Sequence, residues 1–187
     1  MSLIKKLIAE NATVSAAFNL ASKAHADQKR KYTHTPYIDH CVEVANLVAA
    51  AGSSPEVIAA ALLHDTVEDT AVTREDIAYE LSSWVADLVM MVTDVSRPED
   101  GNRKARKAKD LAHLAEADAD GQTIKLADII SNSVNILGND QAFCKIYIPE
   151  MLSCLSVLTK GNAELYTLAS NYVNNGKAHL EFIGALK

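Results

Sequence analysis

The chain has 187 residues, a hydrophobic content of 49% and a formal net charge of −6. This composition excludes a disordered chain and a general nucleic-acid binder, and the apolar runs are too short to cross a membrane. The length suits one domain with a substantial core, so we expect a single domain over residues 1–187.

The three cysteines are sparse and show no C-x-x-C spacing: Cys41, Cys144 and Cys154. An odd, sparse set indicates buried thiols in a reducing compartment and not a disulfide framework. No signal peptide is evident in the first ten residues. These features favour a cytoplasmic protein.

Helical periodicity predicts an all-α domain of about eight to ten helices. In chain order, a first helix carries an apolar stripe from Val14 to Ala24, and a second runs from about Asp39 to Ala51. Ser54 and Pro55 are predicted to open the third helix as its N-cap and first residue. That helix ends in an apolar run directly before His64.

The second half of the chain is also predicted to be helical. The predicted elements are a capping box from Thr73 to Asp76, a helix from Trp84 to Thr93 capped by Ser83, a basic helix from Asn102 to Glu116, a turn from Asp118 to Gln122 and a helix from Thr123 to Leu137. Two more helices fill the C-terminal third, where Pro149 either opens the first of them or kinks it.

The pair His64-Asp65 closes the apolar third helix. A buried imidazole and carboxylate are costly unless something pairs them, and a divalent metal is a common partner. Glu68 and Asp69 follow at spacings of three and four, which places them one turn along the same helical face. The cluster therefore holds the groups needed to bind a metal and transfer a proton. The alternative is a capped helix end followed by a solvated turn.

Two further candidate ligands lie elsewhere in the chain. His40 begins a helix just after a proline-fixed turn, and Asp128 shares a polar helical face with Lys125, Asn132 and Asn135. The alternative is an exposed histidine and a solvated helix face. With the His-Asp pair, these residues give two imidazoles and two carboxylates, a mixed set that suits manganese, iron or zinc.

Several short segments occur in a recognisable order. They are Arg30-Lys31, Pro36 to His40, Ala60 to Thr70, Val92 to Asp94, Arg103-Lys104 and Lys125 to Asp128. In this order they resemble the hydrolase domain of RelA/SpoT-type alarmone enzymes, within the HD phosphohydrolase superfamily. The resemblance covers roughly residues 12–170 and leaves no room for the synthetase domain of the long family members. It implies a stand-alone small alarmone hydrolase, similar to the metazoan SpoT-homologue type.

The resemblance also implies a role for each site residue. The implied metal ligands are His40, His64, Asp65 and Asp128, which in this family normally hold manganese, with other divalent metals as alternatives. Glu68 and Asp69 match the acidic pair that handles the nucleophilic water. The implied substrate contacts are Arg30, Lys31, Arg103, Lys104, Lys125, Asn132 and Tyr147.

The implied reaction is hydrolysis of the 3′-diphosphate of guanosine tetra- or pentaphosphate to GDP or GTP and pyrophosphate. The sequence departs from the family at Thr35, where glycine is usual, and at Ile129-Ile130. These changes leave open a related activity such as an NADPH 2′-phosphatase, and a nucleotide-sensing module without turnover is a third interpretation. The expected partner is a small nucleotide, with no nucleic acid or membrane, and no feature sets an oligomeric state.

Three other predictions concern single residues near these segments. His25 falls on the apolar stripe of the first helix and is expected to be a core or supporting histidine, not a ligand. Arg106 and Lys109 belong to the same basic helix as Arg103 and are expected to face solvent. They are therefore expected to take no part in the polyphosphate site.

Overall fold

A computed structural model describes residues 3–184. The helices are α1 (Leu3–Glu10), α2 (Ala12–Ala24), α3 (Ile38–Ala50), α4 (Pro55–Leu63), α5 (Thr66–Asp69), α6 (Arg74–Glu80), α7 (Ser83–Val92), α8 (Arg103–Glu116), α9 (Ala119–Asn139), α10 (Gln141–Val157) and α11 (Ala163–Phe182), with a 3-10 turn at Pro98–Asp100. Extended pairing over residues 3–184 is limited to one isolated bridge between Lys29 and Pro36. The all-α prediction is confirmed: α5 is a single turn, and the other ten helices have seven residues or more. None of the helices described is both long and apolar enough to cross a bilayer.

Helix α4 forms the centre of the fold. Every residue from Val57 to Leu63 is buried, and the helix packs against α2, α3, α7 and α9. Ser54 accepts a hydrogen bond from the Val57 amide and Pro55 is the first helical residue, as predicted. Because this helix runs through the core, the residue that follows it, His64, is placed in the protein interior.

Helix α9 is the longest helix and packs on α3, α4, α7 and α11. It begins directly after Asp118, whose side chain accepts from the Gly121 amide at 2.9 Å. The predicted turn from Asp118 to Gln122 is therefore wrong. Aspartate favours both turns and helix N-caps, and here it caps the helix. The packing of α9 on α4 brings Asp128 next to the end of α4.

Three other boundary predictions can be compared with the structure. The capping box is confirmed, since Thr73 and Asp76 bond each other's backbone amides. Ser82, and not the predicted Ser83, caps α7. Pro149 lies inside α10 and does not open it. Adjacent serines are equivalent cap candidates on sequence alone, because the cap is chosen by backbone conformation.

Candidate metal centre and adjoining cavity

The four predicted metal ligands come together where α3, α4 and α9 meet. The Nε2 atom of His40 lies 3.3 Å from Oδ1 of Asp128 and 3.4 Å from Oδ2 of Asp65. The Nε2 atom of His64 lies 3.1 Å from the same Asp65 oxygen and 3.7 Å from the Asp128 oxygen. Residues separated by up to 88 positions thus form one compact cluster of two imidazoles and two carboxylates.

The facing atoms of this cluster are suited to a cation. The Nδ1 atom of His64 lies 2.9 Å from the Ala61 carbonyl oxygen, which can only accept, so the ring proton of the neutral imidazole is on Nδ1. The Nε2 atoms of His40 and His64 are both buried and have no hydrogen-bond partner among the described residues. The ligand atoms of His40, His64 and Asp65 lie within 4.8 Å of one another, and Asp128 lies against both imidazoles. A divalent metal would satisfy such a set of imidazoles and carboxylates.

Electrostatics keep both carboxylates ionised. Burial by itself would raise the pKa of the Asp128 carboxyl, but Lys125 and the two histidines hold it well below its usual range. Burial also opposes ionisation of the Asp65 carboxyl. The neighbouring His64 and His40 outweigh this effect and hold the pKa of Asp65 well below its usual range. Burial would lower the pKa of His64, yet Asp65 and Asp128 raise it to about 10. A metal at this centre therefore competes with protons for the imidazoles.

Neighbouring side chains hold the two carboxylates in place. The Tyr37 hydroxyl donates to Oδ2 of Asp65 at 2.6 Å. Lys125 donates to Oδ2 of Asp128 at 2.9 Å, and Asn132 donates to its Oδ1 at 2.6 Å. Lys125 and Asn132, which were predicted to contact substrate, therefore both bond a predicted metal ligand. Tyr37 had no predicted role, although it lies three residues before His40.

A cavity of about 930 Å³ opens beside the candidate metal centre, with Asp128 in its wall. Six of the predicted site residues line it: Arg103, Lys104, Lys125, Asp128, Asn132 and Tyr147. Much of the remaining wall is apolar and includes Met91, Leu111, Ile129, Phe143 and Met151. An apolar cavity with a few convergent charged groups is typical of a small-molecule site.

Glu68 lies in a smaller groove of about 700 Å³ that continues from the cavity. Five residues line both spaces: Thr93, Asp94, Arg103, Lys107 and Asp110. An Oε2 atom of Glu68 accepts from the Asp94 amide at 3.2 Å. The Glu68 side chain is exposed to the groove. Partial desolvation there, with the negative charge of Asp94, raises the pKa of Glu68 to about 7. Burial and the Asp65 charge also raise the pKa of Asp69.

The cationic groups of the cavity wall differ in whether they already form an ion pair. Arg103 makes a two-point contact with Glu150, at 2.7 and 2.9 Å, and Lys107 bonds an aspartate of the same wall. Lys104 and Lys145 line the cavity, are exposed, and have no carboxylate partner within residues 3–184. Lys145 was not predicted as a site residue. These two lysines are therefore the cations that an anionic ligand can reach without breaking an ion pair.

The basic pair at positions 30 and 31, which was predicted to contact substrate, forms ion pairs outside the cavity. The guanidinium group of Arg30 is buried against Glu43 at 2.7 Å, and Lys31 bonds Asp140 at 3.1 Å. Among the described residues, neither belongs to the lining of the cavity. Tyr147 does line it, but its hydroxyl group is already bonded to Ser133. A buried arginine needs a carboxylate partner, and the sequence did not reveal that Arg30 was buried.

Three more residues, His25, Arg106 and Lys109, had predicted positions outside the metal and substrate sites. His25 is buried, bonds Gln28 at 2.7 Å and packs against the ring of Tyr37, in line with a supporting role. Lys109 is exposed and paired with an aspartate outside the cavity. Arg106 is half-buried and lines the groove beside Glu68, so the expectation that it faces solvent is wrong.

The sequence is similar to those of a plant and a fish protein. A chloroplastic probable GTP diphosphokinase of Arabidopsis thaliana is 40% identical over 138 residues, which is 71% of this chain and 19% of that protein. A guanosine-3′,5′-bis(diphosphate) 3′-pyrophosphohydrolase of Danio rerio is 36% identical over 117 residues, 61% of this chain and 63% of that protein. The chain thus spans about a fifth of the plant relative and less than two thirds of the fish one.

A solved structure is similar over nearly the whole chain. It is that of a metazoan orthologue of SpoT, described as hydrolysing ppGpp, with a TM-score of 0.79 and 26% identity over 88% of this chain and 96% of that one. The HD domain family model matches residues 17–136, a range that contains all four candidate ligands. Since this match covers more than half of the sequence, the chain belongs to the HD domain family.

Proposed function

We propose that the protein hydrolyses the 3′-diphosphate of guanosine tetra- or pentaphosphate, giving GDP or GTP and pyrophosphate. The observation that carries the proposal is the meeting of two imidazoles and two carboxylates, from His40, His64, Asp65 and Asp128, at the edge of a cavity with cations on its wall. The similarity to a SpoT orthologue described as hydrolysing ppGpp supports the choice of substrate.

The same four residues are proposed to hold a divalent metal, with manganese as the preferred ion. Imidazole and carboxylate ligands without a thiolate suit manganese as well as iron or zinc. When bound, such an ion lowers the pKa of water and polarises a phosphoryl oxygen. The protein contributes the ligand geometry, which Tyr37 and Asn132 maintain through their bonds to the carboxylates.

Glu68 is proposed to take the proton from the attacking water and to deliver it to the leaving 3′-oxygen. A carboxyl group with a pKa of about 7 can both accept and donate a proton near neutral pH. Asp69, the next residue, is proposed to orient the water. Arg103 and Lys104 lie on the cavity wall, where their charges would offset the charge that develops on the phosphates.

The assignment of Glu68 predicts a specific pH dependence. Its carboxylate form is required to accept the proton of water, so kcat/KM is expected to rise as the pH passes through about 7. In Glu68→Gln the residual activity should lose this inflection. The measurement is a pH profile of both proteins at saturating Mn²⁺. A wild-type rate that falls across the same range would make Glu68 the acid and not the base.

Lys104→Ala is expected to raise KM for guanosine tetraphosphate by about tenfold. Charge-assisted contacts to phosphate contribute about 1.5–3 kcal/mol, and the exposure of this lysine places it at the lower end. Lys109→Ala is the matched control, because Lys109 lies on the same helix but is paired with Asp100. Added salt should weaken binding to the wild type more than to Lys104→Ala. Equal KM values for the two variants would contradict a role for Lys104.

A nucleotide panel tests the proposed reaction directly. The protein is incubated with Mn²⁺ and guanosine tetraphosphate, NADPH or GTP, and pyrophosphate and phosphate are measured separately. We expect pyrophosphate from guanosine tetraphosphate alone. Phosphate released from NADPH would instead indicate a 2′-phosphatase, and binding without product would indicate a sensing module.

A further inference from the structure

A chain of hydrogen bonds extends behind His40, on the side of the ring that faces away from the metal centre. The Nδ1 atom of His40 lies 2.9 Å from the Ser131 hydroxyl oxygen. That hydroxyl lies 2.7 Å from Oε2 of Glu43, and the same oxygen accepts from Nη1 of Arg30 at 2.7 Å. His40, Ser131 and Arg30 are buried, while the Glu43 side chain is half-exposed.

The direction of these bonds follows from the number of protons available. A serine hydroxyl has one proton, and the carboxylate of Glu43 can only accept, so Ser131 donates to Glu43. The hydroxyl oxygen must then accept from His40, which places a proton on Nδ1. In the neutral ring Nε2 consequently carries the lone pair, and it is this atom that lies beside Asp65 and Asp128.

We propose that Ser131 and Glu43 are positioning residues that fix His40 in the tautomer and orientation needed to bind the metal, with Arg30 anchoring Glu43. The inference rests on the proposed metal centre, but it does not depend on the identity of the substrate. It gives Arg30 a structural task in place of the nucleotide contact that was predicted for it.

The two histidines of the centre differ in how their rings are held. The Nδ1 proton of His64 is held by a backbone carbonyl, which no side-chain substitution removes. The Nδ1 proton of His40 is held by a side chain that is itself held by a second side chain. Ser131 is 4% exposed and His40 is 1% exposed, which limits access of bulk water to the bond between them. The orientation of His40 is therefore the part of the centre that substitution can test.

The first test is the affinity for Mn²⁺, measured by calorimetry. Loss of a partner that orients a metal-bound histidine typically weakens binding 10–100-fold, so Ser131→Ala is expected to raise Kd by about that factor. Ser131→Thr keeps a hydroxyl and should recover most of the affinity. Ser133→Ala is the matched control: it is a buried serine on the same helix, but it bonds Tyr147 and not the chain behind His40.

The second test uses Glu43→Ala in an Arg30→Met background, so that Ser131 stays in place and no buried guanidinium is left without its carboxylate partner should Ser131→Ala fail to fold. Without Glu43, the Ser131 hydroxyl is free to donate to Nδ1, which favours a proton on Nε2 and competes with the metal. We expect Kd for Mn²⁺ to rise at least fivefold. Asp39→Ala controls for the loss of one negative charge near His40, because Asp39 is exposed and outside the hydrogen-bond chain.

Nuclear magnetic resonance provides a readout that a general loss of packing would not reproduce. In the Zn²⁺-loaded wild type, the Nδ1 proton of His40 should give a slowly exchanging downfield signal. That signal should be lost in Ser131→Ala, while the corresponding signal of His64 remains. The positioning role would be overturned, and the proposed metal centre would stand, if Ser131→Ala bound Mn²⁺ as tightly as the wild type. The same conclusion would follow if Ser131→Ala and Ser133→Ala lost equal affinity for Mn²⁺. A wild type that binds no metal would overturn the proposed centre and the inference together.

Discussion

Replacement of Glu68 by glutamine is expected to lower kcat by a factor of about 10² to 10⁴ and to leave Mn²⁺ affinity within about twofold of wild type. The amide cannot exchange a proton with water or with the leaving oxygen, but it keeps the shape of the side chain. Glu68 lies in the groove beside the cavity and bonds the Asp94 amide, outside the four-residue cluster. The measurements are steady-state kinetics with guanosine tetraphosphate and a metal titration of the same preparation.

The controls for this prediction separate chemistry from charge. Glu75→Gln removes an exposed carboxylate on α6 and should leave both kcat and metal affinity unchanged. Asp69→Asn, in the neighbouring carboxylate, is expected to lower kcat by a comparable factor if Asp69 orients the water. Loss of metal from Glu68→Gln would make Glu68 a ligand, and its assignment to proton transfer would be wrong.

The grouping of the four predicted metal ligands is the part of the candidate site that follows most directly from the sequence, and the reason is chemical. His64 and Asp65 end an apolar helix, and a polar pair at such a position requires a partner inside the protein. His40 and Asp128 also follow recognisable patterns, a proline-fixed helix start and a polar helix face. The structure brings each of the two imidazoles within 3.7 Å of each of the two carboxylates, although the roles of these residues as ligands remain predictions.

The proposed substrate contacts are harder to predict from sequence, because they depend on which cations are already paired. Arg30 and Lys104 both lie in basic segments, yet Arg30 is buried against Glu43 and Lys104 is exposed on the cavity wall. The Glu43 to Ser131 contact joins residues 88 positions apart, and no local pattern indicates it. A weaker signal was present, since Glu43 follows His40 by three and Ser131 follows Asp128 by three.

Helix boundaries show a related limit of the sequence. The N-caps at Ser54 and Thr73 were predicted because each precedes a run with clear helical spacing. The start of α9 was placed too late, because Asp118 to Gln122 contains residues common in turns and precedes the strongly apolar part of the helix. In the structure that segment is helical and packed into the protein: Gly121 lies against Met91 of α7, and Gln122 is fully buried.

Removal of the His64 side chain is expected to abolish metal binding. His64 and Asp65 supply adjacent ligands, and a centre reduced to His40 and two carboxylates should bind Mn²⁺ at least 100-fold more weakly. Activity that depends on the metal should fall below detection, and added Mn²⁺ should not restore it. His113→Ala is the matched control, because His113 lines the cavity but bonds the Met90 carbonyl and lies outside the cluster.

The same variant is expected to lose stability even when the metal has been removed from both proteins. His64 lies 3.1 Å from Asp65 and helps to hold the pKa of that carboxyl well below its usual range. Breaking a buried pair by removing one partner lowers the free energy of unfolding by about 3–5 kcal/mol. Because the Tyr37 hydroxyl still bonds Asp65 in the variant, we expect the lower value, about 3 kcal/mol. Urea unfolding of chelator-treated protein at pH 7 measures it. Stoichiometric Mn²⁺ in His64→Ala would exclude His64 as a ligand, whereas an unchanged unfolding midpoint would show that the pair contributes no net stability.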